Sequence, residues 1–186
     1  MFRRGDTIEN PVTGERVLFR RTAAETDGEL VEIETTVQPG GFVAARHVHP
    51  RQEERFHVLR GTVAFQAGPE TVELGPGDRI TVPAGTPHRF WNAGEDEATF
   101  ACEVRPALHF EALLADMFAL ARDGKTNRRG MPNPVRLAVI ARAYFDTVRL
   151  PFPPAPVQRL TLAVAAPIGR LAGYRAGGEP ATTANA

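Results

Sequence analysis

The hydrophobic period of this chain changes once, near Pro106, and that change restricts the fold more than any other feature. Before it, short apolar-rich runs are separated by Pro39-Gly40-Gly41, Gly75-Pro76-Gly77 and Pro83-Ala84-Gly85. Glycine and proline in such clusters make turns, and many short strands between turns argue for a barrel or sandwich. Strands are expected over residues 16–22, 30–38, 42–48, 55–59, 62–67, 79–82, 88–92 and 98–104. Leu30, Glu32, Glu34 and Thr36 alternate with Val31, Ile33, Thr35 and Val37, the period-2 pattern of a sheet with one wet face.

After Pro106 the period becomes helical. Phe110, Leu113, Leu114, Met117, Phe118 and Ala121 form one apolar stripe. Leu137, Ile140, Ala141, Tyr144, Phe145 and Val148 repeat its offsets, and Asn133-Pro134 gives that second helix a start. Pro151-Phe152-Pro153-Pro154-Ala155-Pro156 precedes a third helical run over residues 157–174, with a kink expected at Pro167. The small, polar stretch 176–186 reads as a disordered tail. The chain thus divides into a β region at 1–105, a helical extension at 106–175 and the tail.

With 186 residues, the chain has room for one well-buried domain plus an appendage. Its 22 basic and 22 acidic side chains cancel, so no global field draws it to nucleic acid or to an anionic membrane. Residues 1–15 hold no helix-turn-helix pattern, so no nucleic-acid partner is expected. Cys102 is the single cysteine, which excludes an intramolecular disulfide. The sequence begins without the apolar run of a signal peptide, and no stretch reaches the roughly 20 apolar residues needed to span a bilayer. A cytoplasmic location is expected.

Four residues then stand out as ligand types. His47 and His49 are two apart and share a face if the backbone is extended. Glu54 lies five beyond His49 and would face the other way unless Pro50-Arg51-Gln52 breaks the run and returns it. His88 follows the rigid Pro83–Pro87 turn. Three imidazoles and one carboxylate suit one divalent transition metal ion (iron, manganese, nickel, copper or zinc) better than calcium or magnesium.

The segment Gly41-x5-His47-x-His49-x4-Glu54-x6-Gly61 resembles the first conserved motif of the cupins. Gly77-x5-Pro83-x-Gly85-x2-His88-x3-Asn92 resembles the second, and the 15 residues between Gly61 and Gly77 suit a short hairpin. The resemblance implies an all-β, antiparallel cupin barrel (a double-stranded β-helix or jelly roll), here carrying a C-terminal α-helical extension. It also implies that His47, His49, Glu54 and His88 are the metal ligands and that a homodimer forms. The helical extension departs from the minimal member of that family.

Parity places Phe56 and Val58 with Glu54, Phe90 with His88, and the small Val43 and Ala45 with His47, so these five are candidate lining of a substrate pocket beside the metal. Their simpler reading is ordinary core. His57 has the opposite parity and is expected outside, as is Trp91. His109 is expected at a helix terminus, and Cys102 is expected to be a buried structural thiol. On the last β run, either Phe100, Cys102 and Val104 or Ala101, Glu103 and Arg105 face inward. The apolar segment 157–174 has three readings: packing on the β region or a second subunit, a lid over a hydrophobic substrate, or shallow membrane contact, with packing preferred.

Two functions follow from this. One is a metal-dependent enzyme acting on a small, partly apolar organic molecule, with oxygenase-type chemistry preferred over isomerase or lyase chemistry and Glu54 doubling as a catalytic base. The alternative is a non-catalytic, metal-dependent small-molecule binding or sensor protein.

Overall fold

A computed structural model describes residues 2–177. Nine strands come first: β1 (Thr7–Asn10), β2 (Glu15–Arg21), β3 (Val31–Val37), β4 (Glu53–Arg60), β5 (Val63–Ala67), β6 (Glu70–Leu74), β7 (Arg79–Val82), β8 (His88–Asn92) and β9 (Ala98–Arg105). Three helices follow: α1 (Phe110–Arg122), α2 (Pro134–Ala143) and α3 (Ala155–Leu171). All strand pairing is antiparallel, in a six-stranded sheet of order β1-β2-β3-β9-β4-β7 and a three-stranded sheet of order β6-β5-β8. Among the described residues, no helix is long and apolar enough to cross a membrane.

The two sheets meet through aromatic rings. Phe56 and Phe100 of the larger sheet contact Phe65 and Phe90 of the smaller, with centroids 4.8–6.5 Å apart. Alternation along β9 sends Phe100, Cys102 and Val104 into this core. Arg105 faces outward and pairs with Glu103 and Glu29. Gly41 leads out of β3 where no side chain fits: an added Cβ would sit 2.7 Å from Val37 Cγ1 and 2.8 Å from the Thr13 carbonyl oxygen.

Several expectations need correction. Residues 42–48 do not form a strand. They make isolated bridges, Phe42 to Trp91, His47 to His88 and Val48 to Arg149. The segment changes partner between His47 and Val48, so one continuous ladder is impossible. β1 and β6 were not anticipated as strands. β6 returns from β5 through the two-residue loop Gly68-Pro69, with Gly68 at φ 58°, the positive value such hairpin turns favour. The second helix ends at Ala143 rather than continuing to Val148. α3 begins at Ala155, runs through Pro167 and ends at Leu171, short of Tyr174. Asn133 does cap α2, its side chain accepting from the Arg136 N–H.

The helical extension packs on the β region through α1, whose Phe110, Ala115 and Phe118 join the main core. Leu113 of α1 forms a second cluster with Ile140 and Tyr144. Ala176, placed in the expected tail, packs against that cluster, and the Gly177 N–H donates to Asp116. The rest of the expected tail, residues 178–186, lies outside the described residues.

Candidate metal centre

His47 and His88 face each other across a backbone bridge in which each N–H donates to the other's carbonyl, at 2.9 and 2.8 Å. The break at Pro50-Arg51-Gln52 ends before β4 and turns Glu54 inward. The ligand atoms of His47, His49, Glu54 and His88 all lie within 4.8 Å of one another. Adjacent donors on one ion at about 2.0–2.2 Å lie about 3–3.6 Å apart, so the four side chains are already gathered around the space one ion would take.

Each imidazole has its tautomer set by a hydrogen bond. Nδ1 of His47 lies 2.8 Å from the Ala45 carbonyl, and Nδ1 of His88 lies 3.0 Å from that of Thr86. Nδ1 of His49 lies 2.7 Å from the Thr147 carbonyl and 3.0 Å from Gln52 Oε1. Carbonyl oxygens only accept, so each Nδ1 carries the proton and each Nε2 is left with a lone pair for a metal.

The electrostatics are those of a site prepared for a cation. Burial would raise the Glu54 carboxyl, but the surrounding histidines outweigh it and bring it down to about 2. Burial and the neighbouring imidazoles lower His47 to about 3, so its ring stays neutral. Burial opposes charge on His88 as well, yet contact with Glu54 raises its pKa above the ordinary value. His88 Nε2 sits 2.6 Å from Glu54 Oε2, an oxygen with no well-aligned hydrogen bond. With its Nδ1 proton engaged, a neutral His88 offers nothing across that gap except electron repulsion. A positive charge, whether a proton or a shared metal ion, belongs between them. The four residues therefore fit a divalent transition metal.

The quartet opens onto a cavity of about 500 Å³ between the inner faces of the sheets and the three helices. Val43, Ala45, Phe56 and Phe90 line it. Val58 does not: it is fully buried in the core, where the mutually contacting Phe56, Phe65 and Phe100 rings fill the space. Cys102 is buried, as expected, but also borders the cavity, and burial pushes its thiol pKa up. His57 lies half-buried on the outer parity of β4, and His109 is the N-cap of α1 without a side-chain capping bond.

The family model described as "Cupin domain" matches residues 33–104, the span that holds all four ligand-type residues. The β region is a cupin domain. Among solved structures, KdgF from a Halomonas species matches with a TM-score of 0.50 and 18% identity, covering 57% of this chain and 92% of that one. An RmlC-like cupin from Shewanella frigidimarina matches with a TM-score of 0.50 and 16% identity, covering 57% and 88%. These likenesses concern the fold. Quercetin 2,3-dioxygenase of Bacillus subtilis is 32% identical over 81 residues, or 42% of this chain, and the match spans only 23% of that relative's length.

Sequence reasoning missed two supports of this cupin's site. Gln52 is almost fully buried, and its Nε2 donates to the Pro106 and Ala107 carbonyls at 2.8 and 3.0 Å. Those bonds fix its Oε1 as the acceptor facing His49. Thr147, just beyond α2, supplies the second acceptor, and Val48 and Arg149 exchange backbone hydrogen bonds beside it. The helical extension thus holds the metal-ligand segment directly. Gln52 lay inside the first motif, but between Arg51 and Glu53 it is one polar residue among several, and nothing in the sequence marks it as the buried one. Thr147 acts through its backbone, which leaves no sequence signal.

Proposed function

We propose that this protein is a metal-dependent enzyme acting on a small, partly apolar organic molecule, with oxygenase-type chemistry. The observation that carries this reading is the quartet of His47, His49, Glu54 and His88, three of them buried and each imidazole held through its Nδ1, at the wall of a largely apolar cavity. A redox-capable divalent ion bound there would supply Lewis acidity and a place for dioxygen or for an adjacent pair of substrate oxygens. The partial match to a quercetin dioxygenase supports the oxygenase version over isomerase or lyase chemistry.

The chain's own residues have distinct tasks in this scheme. The three imidazoles are oriented in advance by acceptors at 2.7–3.0 Å, so ligand placement costs little at the time of binding. Glu54, held anionic, is placed to accept a proton from a substrate hydroxyl bound beside it. Phe56 and Phe90 exclude water and hold an apolar substrate body.

Metal analysis of protein purified without added metal, followed by oxygen-uptake screening with hydroxy-carbonyl aromatic compounds, tests the proposal. Oxygen consumption matched to product, and lost in His47→Ala together with bound metal, is the expected result. Tight ligand binding with no product under iron, manganese, nickel and copper would assign the protein to the binding or sensor class instead.

A further inference from the structure

The cavity extends well past the metal quartet. It crosses the inner face of the larger sheet diagonally, from Glu54 on β4 past Cys102 on β9, Ile33 on β3 and Val17 on β2 to Glu15, with Asn10 on β1. The strand register shows how far apart its ends are. Glu54 lies opposite Val104, which lies opposite Val31, whereas Glu15 lies opposite Val37. Six residues along β3 separate the two rows, on the order of 20 Å at about 3.3 Å per residue before sheet curvature shortens it.

The far end is polar where the middle is not. Glu15 is 8% exposed. Its Oε2 accepts a 2.6 Å hydrogen bond from the buried Thr13 hydroxyl, and among the described residues no other side chain or backbone group bonds the carboxyl. Asn10 lies directly opposite it across the β1–β2 ladder and is 3% exposed. Its Oδ1 accepts from the Val12 and Thr13 N–H groups at 3.1 and 3.2 Å, which leaves its amide nitrogen as an available donor. Both residues line the cavity. Among the described residues no basic side chain forms an ion pair with Glu15, and burial pushes its pKa up to about 7, so near neutrality it can either donate or accept a hydrogen bond. A buried carboxyl without an ion pair costs stability, and here it faces into a cavity.

We propose that Glu15, with Asn10 beside it, is a second polar anchor, and that the ligand is an elongated apolar molecule with metal-binding oxygen at one end and a hydroxyl group at the other. The near end rests on the metal-enzyme reading above. The far anchor does not.

Zinc-loaded protein, in which redox turnover is absent, allows binding alone to be measured by calorimetry with ω-hydroxylauric acid and lauric acid. Wild type is expected to favour the hydroxy acid by about tenfold, the scale of one buried hydrogen bond. Glu15→Leu is expected to abolish that preference with zinc content unchanged, and Glu15→Met provides a second apolar replacement should the leucine variant fold poorly. Equal binding of the two probes by wild type, or a preference kept in the apolar variants, would overturn the proposal. His47→Ala separates the two ideas. If zinc contributes nothing to binding of either probe, the metal reading loses its support while a hydroxyl preference dependent on Glu15 still stands.

Discussion

Gln52 spans the first-motif turn and the junction to the helices, with its amide nitrogen on two carbonyls and its oxygen toward His49. Gln52→Ala removes one of the two acceptors that orient His49 and leaves the Pro106 and Ala107 carbonyls without that donor. Metal affinity is expected to fall about 10- to 100-fold, as is usual for loss of a group that orients a ligand. A chelator competition titration measures it, and unchanged affinity would show that Thr147 alone sets the ring. At the other end of the cavity, burial raises the Glu15 carboxyl from 4.5 to about 7. Below pH 4.5 both folded and unfolded chains hold this proton, so no penalty exists there. As pH rises to 7 and beyond, the unfolded state gives the proton up more easily, and the fold loses about 3 kcal/mol. Glu15→Gln is therefore expected to be the more stable protein at pH 8, with the difference closing toward pH 4.5. Urea melts of zinc-loaded protein at both pH values test this, and parallel pH profiles would contradict it. The four ligand-type residues were legible because motif spacing records them. Gln52 and Glu15 were not singled out, because their roles depend on contacts with residues brought near only by folding.

Among the three helices, α3 is the least embedded, with only Ala166 and Gly169 buried. Gly169 is where it touches α2: an added Cβ would lie 2.5 Å from Val139 Cγ2 and 2.7 Å from the Val135 carbonyl oxygen. Gly169→Leu cannot fit without moving α3 outward, at an expected cost of about 1–3 kcal/mol. Because Leu162 and Ala165 of α3 line the cavity, the same change should open it. Faster proteolysis between α2 and α3, with the cupin domain left intact, is the readout, and a wild-type cleavage pattern would refute the packing argument. The strands with clean alternation, such as β3 and β9, were visible in the sequence because one face of each is buried throughout. Segment 42–48 misled for a physical reason. Its composition is that of a strand, but its hydrogen bonds go to three different neighbours, and composition does not encode partner changes.

At the scale of the whole molecule, α3 has apolar side chains on two faces. Leu162 and Ala165 turn toward the cavity, while Val157, Leu160, Val164, Ile168 and Leu171 are exposed, Leu160 at 71% and Leu171 at 90%. The sequence showed that this helix was apolar around much of its circumference, but not which side was covered, since that depends on how α2 and α3 meet. The exposed residues are spaced by 3, 4, 4 and 3 positions, a narrow seam along one side of the helix. Such a seam suits ridges-into-grooves packing with another helix better than it suits the broad face of a helix lying in a bilayer. The expected occupant is α3 of a second copy, an arrangement that would also hold the cavity-lining face in place. Light scattering should give a dimer for the wild type and a monomer for Leu160→Glu combined with Val164→Glu, with metal content equal in both. A monomeric wild type would end the dimer interpretation, and a monomer that sediments with anionic phospholipid vesicles through these same residues would assign the seam to a membrane surface instead.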